Sequence, residues 1–128
     1  MTITDVDRIA VAQEYIDALV SHRGDKVPFA SHCTRIEVGL KTGFSGNHLR
    51  RSLTRGPQYR VIQSATPPEF TVTGEVVRAR FDILTKPTLA GRRVGAHIDE
   101  TFLIAVDADA GRAEIHHIRA GIRPFLTR

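Results

Sequence analysis

Glu37 is the side chain whose type and setting best suit acid–base chemistry, and Glu100 and Tyr15 are two further polar side chains set against apolar surfaces. Glu37 is the only acid in a short stretch of strand character, Thr34–Val38, where Ile36 and Val38 flank it. A carboxylate embedded among apolar neighbours is a candidate general base. The competing reading pairs it with an arginine such as Arg35, or leaves it in water at a rim. Glu100 lies in VGAHIDETFLIAV, Val94–Val106, the longest run rich in β-branched and aromatic residues. Side chains alternate along a strand, so Ile98, Glu100, Phe102 and Ile104 share one face and His97, Asp99, Thr101 and Leu103 the other. The first set is the more apolar, which places Glu100 inward, with the His97/Asp99 face as the competing assignment. Tyr15 follows Ala12 by three residues and precedes Leu19 by four, which sets its ring at the border of a helical apolar stripe.

Other chemistries find no support. His116 and His117 are neighbours, and neighbours on a strand face opposite sides, so the pair cannot chelate one ion. Cys33 is the only cysteine, which excludes an internal disulfide and a thiolate zinc site and suggests a small buried residue. GFSGNH lacks the spacing and the lysine of a phosphate loop, and no G-x-S-x-G elbow occurs. Neither a metal nor a cofactor is expected. The net charge of +4 comes from fifteen arginines and three lysines, but the arginines are scattered from Arg8 to Arg128 without an aromatic-interleaved basic stripe. Nucleic acid is therefore not the expected partner.

The elements that must position these residues are helices first and strands after. Thr4 and Asp7 form a capping-box pair, and Ile9, Ala12, Ile16, Leu19 and Val20 continue at helical spacing until Gly24. Asp25 can cap a second short helix through Val27, Phe29, Ala30 and Cys33, with Pro28 in its first turn. The strand Thr34–Val38 ends at Gly39, and Lys41–Gly46 is read as a turn. Ser45 or Asn47 then caps a helix that carries Leu49 and Leu53 inward and stops at Gly56-Pro57. Beyond it, Gln58–Gln63 is a strand, Pro67-Pro68 breaks the chain, and Phe70–Thr85 is a long strand with one apolar face. Lys86–Arg92 leads into Val94–Val106, and Asp107–Gly111 turns into Arg112–Arg123. Helices followed by an antiparallel meander are the α+β pattern, and 128 residues amount to one domain, 1–128. The opening MTITDVDR has no basic start before an apolar run, and no apolar stretch reaches membrane-spanning length, so a cytoplasmic protein without membrane contact is expected.

This order of elements resembles the cone-shaped α+β folds of the nuclear transport factor 2-like superfamily, which includes ketosteroid isomerase and the SnoaL-like polyketide cyclases. Glu14-Tyr-Ile-Asp-Ala-Leu-Val20 is similar to the first-helix segment that supplies the isomerase's oxyanion-hole tyrosine. His32-Cys-Thr-Arg-Ile-Glu37 resembles the segment that ends in its catalytic acid, and Glu100-Thr-Phe-Leu-Ile104 resembles the strand with its protonated carboxylic acid. Gly111-Arg112 resembles the start of the last strand. The resemblance implies a cone-shaped half-barrel, a curved antiparallel sheet with three helices from the N-terminal half in its concavity. It implies Glu37 as base, with Tyr15 and Glu100 as hydrogen-bond donors to a developing enolate. The expected function is a cofactor-independent isomerase, cyclase or dehydratase acting on a small apolar carbonyl compound. The alternative is a non-catalytic ligand-binding or oligomerisation module. Apolar residues on both faces of Val94–Val106 suggest a homodimer through the outer face of the sheet.

Overall fold

The computed structural model describes residues 3–107 and 111–128. The chain opens with α1 (Asp5–Ser21), where the capping box forms as the sequence implies: Asp7 N–H donates to Thr4 Oγ1 at 3.1 Å and Thr4 N–H to Asp7 Oδ2 at 2.9 Å. His22, in the left-handed region at φ 60°, ends the helix two residues before Gly24. There follow β1 (Phe29–Glu37), β2 (Leu40–Gly43), α2 (Gly46–Arg55), the single turn α3 (Pro57–Arg60), β3 (Ile62–Ala65), β4 (Glu69–Thr73), β5 (Val76–Leu89), β6 (Arg92–Asp107) and β7 (Arg112–Leu126). The sheet runs β2-β1-β7-β6-β5-β3, with β4 also paired to β5. It is curved and unclosed, and helices from the N-terminal half pack into it, which is the α+β cone fold expected. The expected antiparallel sheet needs one correction. β1 runs parallel to β7, so the sheet is mixed.

Five segments differ from the sequence reading. The helix expected over Asp25–Cys33 is absent, because Phe29, Ala30 and Cys33 belong to β1. The spacing of those buried residues imitates a helix only because the β1–β7 register slips between Phe29 and Thr34. Lys41–Gly46 is in part β2, since Val38 and Gly39 both take positive φ, 50° and 79°, and close a two-residue hairpin between Glu37 and Leu40. Gln58–Gln63 begins as the helical turn α3 before β3 starts at Ile62. The strand expected over Phe70–Thr85 is two strands, because Gly74 at φ 61° turns the chain between paired Thr73 and Val76. A third two-residue turn, Ala90-Gly91, joins β5 to β6 where a longer connection is expected. The expected turn Asp107–Gly111 lies largely outside the described residues.

The inner face of the sheet is the more apolar set. Ile98, Glu100, Phe102 and Ile104 are buried, whereas Leu103 is exposed. Outward, Asp99 accepts a two-pronged contact from Arg78 at 2.9 and 2.6 Å, and His97 Nδ1 lies 2.7 Å from Asp82 Oδ1. α2 is held tightly against β1 and β2, since a Cβ at Gly43 would strike Leu49 and lie 2.8 Å from Arg35 Cβ. This packing fixes where Arg35 and Glu37 enter the concavity.

Candidate functional site

Glu37, at the end of β1, is the register partner of Ala120 on β7, and Ala120 is in turn the partner of Glu100 on β6. Directly opposed residues point to the same face, so both carboxyls project from one row of the sheet. Two inter-strand steps of about 4.8 Å set their backbones about 10 Å apart. The residue between them is only alanine. The space above that methyl group is part of a cavity of about 230 Å³, which Tyr15 and Leu19 of α1 and Gln58 and Tyr59 of α3 close from above. Ile62, Ile83, Ile98 and Ile122 line the rest. The three residues singled out in the sequence therefore meet in one cavity.

Their environments differ. Glu100 is 3% exposed, and its Oε2 is buried without a hydrogen-bond partner among the described residues. Burial, reinforced by the negative charge of Glu37 and opposed by Arg35, pushes its carboxyl up to about 8, so at neutral pH it carries a proton. Glu37 sits nearer the rim, its side chain 16% exposed, and Oε1 accepts a 2.7 Å hydrogen bond from the Tyr59 hydroxyl. Tyr15 is buried in the core and not at its border, held edge-on by Phe29 and Phe102 at ring-centroid distances of 6.1 and 5.3 Å. Such edge contacts contribute about 0.5–1.5 kcal/mol each beyond area burial, which keeps the ring in one orientation. Burial, with the charge of Glu100 adding to it, raises the Tyr15 phenol well above the usual tyrosine range, so it remains a neutral donor.

Arg35 and Tyr59 are the side chains beside Glu37 that sequence reasoning undervalued. Arg35 appears there only as a possible partner of Glu37. It is fully buried, with Nε donating to Thr42 Oγ1 at 3.1 Å, one terminal nitrogen to Tyr15 Oη at 3.3 Å and the other to Thr42 O and Ser52 Oγ, both at 3.2 Å. The guanidinium lies 4.6 Å from the Tyr59 ring centroid, and its closest approach to Glu37 is 3.8 Å. It thus sets a buried positive charge close to Glu37, with four of its five N–H groups donating elsewhere. Arg78 and Arg80, on β5, contact Asp99 and Glu69. Tyr59 sits in the stretch read as a strand, and only the GP-x-Y placement of a helical turn beside the cavity could have flagged it.

The remaining candidates take no part. Cys33 is fully buried, and desolvation pushes its thiol up to about 12, which leaves it unreactive. His117 Nδ1 is 2.8 Å from Thr34 Oγ1, and burial, then the charge of Arg119, lowers its pKa. Among the described residues no three His, Cys, Asp or Glu side chains converge as a metal site would require, and no helix is long and apolar enough to cross a membrane.

A family model described as a domain of unknown function (DUF8021) matches residues 3–122. No curated protein sequence matches the chain. Among solved structures, the chain is similar to the epoxide hydrolase/cyclase-like enzyme SalBIII of pyran ring formation in the polyether salinomycin. That match has a TM-score of 0.71 at 14% identity over 94% of this chain and 95% of that one. A ketosteroid isomerase-like protein from Erwinia carotovora atroseptica aligns with a TM-score of 0.62 at 14% identity over 91% and 94% of the two chains. Nuclear transport factor 2 from Cryptosporidium parvum aligns with a TM-score of 0.63 at 8% identity over 93% and 94%. At these identities the likeness is one of fold, the cone fold of the nuclear transport factor 2-like superfamily.

Proposed function

We propose that this chain, which belongs to the DUF8021 family and has the nuclear transport factor 2-like cone fold, binds a small apolar molecule in its cavity and performs cofactor-independent acid–base chemistry on it. The observation that carries this reading is the pair of unlike carboxyls on one cavity wall. Burial favours the protonated form of Glu100, and a carboxyl that keeps its proton can act as donor while a second, nearer the rim, acts as base. Glu37, beside a buried cation and accepting from a tyrosine, is the base. Glu100, protonated and without a protein partner on Oε2, is the donor to a ligand oxygen, and the Tyr15 hydroxyl is a second donor. A neutral carbonyl compound or cyclic ether suits the site, because an added anion would meet Glu37 and four of the five N–H groups of Arg35 already donate to protein acceptors. Isomerisation, dehydration and ring closure all need only such a base and donor. SalBIII has its role in pyran ring formation, which lends weight to the cyclase form.

Turnover of a panel of neutral ketones and epoxides tests the proposal. Glu37→Gln should lower the rate by about 10²–10⁴-fold, the usual contribution of a general base. A variant that turns over substrate as fast as the wild type would contradict it. The 3.8 Å approach of Arg35 to Glu37 favours one other reading, a non-catalytic binding module in which the carboxylate is chiefly a partner for the buried guanidinium. On that reading no compound turns over, and Glu37→Gln leaves apolar ligand affinity intact.

We also propose that two copies pair through the outer face of the sheet, where Val76 and Leu103 are register partners and both exposed. Sedimentation equilibrium should then give twice the chain mass of 14.2 kDa at micromolar concentration. The single mass would contradict pairing.

A further inference from the structure

We propose that the cavity selects its ligand by size: it takes a neutral compound of about nine non-hydrogen atoms, a single ring or short chain with one oxygen end, and Ile122 sets the upper limit. This substrate class rests on the apolar-ligand reading of the cavity and not on the chemistry performed there. A cavity of about 150 Å³ closes around benzene, so each non-hydrogen atom takes about 25 Å³. On that scale the 230 Å³ found here holds about nine. A compound of four fused rings, with about twenty carbons, would need roughly twice that space. Distances along the strands agree. Glu37, Ala120 and Glu100 make the polar row. Two residues further along, Ile122 and Ile98 make the next row, about 7 Å away, and Ile83 belongs to the row after it, about 13 Å away. Glu100 Oε2, buried without a partner among the described residues, marks the end that receives the ligand's oxygen. Beyond that row the lining is aliphatic apart from Gln58, which suits an apolar body.

The enclosure is tied down, so its size is a limit that a larger ligand cannot push back cheaply. Over the cavity, the Tyr59 hydroxyl donates to Glu37 Oε1 at 2.7 Å. Gly56 N–H, at the head of α3, donates to Ser52 O at 2.7 Å, and Lys86 N–H of β5 donates to Val61 O at 2.8 Å just past its end. Tyr15, the α1 part of the roof, is wedged between Phe29 and Phe102. Lifting either piece breaks hydrogen bonds or close packing. Among the walls, Ile62 and Ile98 belong to the buried core, whereas Ile122 only packs against it, so Ile122 can be trimmed without opening the core.

The experiment is titration calorimetry of the protein with four saturated ketones of rising size: cyclohexanone, ethylcyclohexanone, decalone and a tetracyclic androstanone. Ethylcyclohexanone, with the proposed atom count, should bind about fifteenfold more tightly than cyclohexanone, since each further buried CH₂ is worth about a factor of four. Decalone, larger than the limit, should bind about tenfold more weakly than ethylcyclohexanone, and androstanone should not bind. Ile122→Ala removes three carbons, about 75 Å³ on the same scale, and should bind decalone about as tightly as the wild type binds ethylcyclohexanone. Should that variant fail to fold, Ile122→Val, one carbon smaller than wild type, should show part of the same gain. Affinity that keeps rising through decalone to androstanone in the wild type overturns the size limit and leaves the apolar-ligand reading standing. A limit that trimming Ile122 leaves unmoved overturns the role of Ile122. Binding of none of the ketones overturns the apolar-ligand reading, and the size class with it.

Discussion

Burying a carboxyl as Glu100 is buried links protonation to folding. In the unfolded chain this group titrates near 4.5, and in the folded protein burial moves it up to about 8. Because the folded value is the higher, the folded protein holds a proton that the unfolded chain has released throughout that interval. The stability contributed by Glu100 is therefore fully present below pH 4.5 and is lost as the pH rises to about 8. Each tenfold change in proton affinity corresponds to about 1.36 kcal/mol, so the interval amounts to about 5 kcal/mol, a large share of the stability of a domain this size. Glu100→Gln keeps the shape and removes the ionisation. Urea denaturation of both proteins from pH 4.5 to 9 isolates the effect, because groups remote from Glu100, such as His117 with its lowered pKa, cancel in the difference. The variant should gain on the wild type by several kcal/mol as the pH rises. Parallel stability curves would refute the buried, proton-bearing Glu100 on which the account rests.

Further outcomes follow from single side chains. Arg35→Met should cost about 3 kcal/mol in urea denaturation, because it removes four donated hydrogen bonds and leaves Glu37 without its nearby cation. Val38→Asn should raise stability by about 1 kcal/mol in the same assay, because a β-branched residue at φ 50° is strained, and this one is 64% exposed and gains little from burial. Tyr15→Phe should weaken turnover and leave the melting temperature within a few degrees, since the ring keeps its edge contacts with Phe29 and Phe102.

What the sequence reveals depends on whether the governing interaction is local. The capping box at Thr4, the cap at Ser45, which accepts from His48 N–H at 3.1 Å, and the inward set Ile98, Glu100, Phe102, Ile104 rest on contacts a few residues apart or on strand alternation, and each forms as read. Periodicity suggests which way Tyr15 and Glu100 point, but it is the resemblance to ketosteroid isomerase that groups them with Glu37 as one site. Distance in sequence defeats the same reasoning elsewhere. β1 begins at Phe29 because β7 accepts it, with Ile115 N–H donating to Pro28 O at 2.8 Å, and nothing near Phe29 announces a partner more than eighty residues away. Its parallel pairing hides for the same reason. Gly74 sits inside the run Phe70–Thr85, which reads as one continuous strand, whereas the strand end at Gly39 and the connection that holds Ala90-Gly91 are legible and only the strands reaching up to those turns are not. Arg35 and Tyr59 take their meaning only from each other and from Glu37, across three elements.

The central claim is that one carboxyl of this cavity is protonated at neutral pH and that it belongs to Glu100. Isotope-edited infrared spectroscopy of the unliganded protein measures it directly. The wild type at neutral pH should show the carbonyl band of a protonated carboxylic acid, which fades as the pH passes about 8 and is missing from Glu100→Gln. A spectrum without that band at neutral pH, or a band that survives Glu100→Gln, would contradict the account.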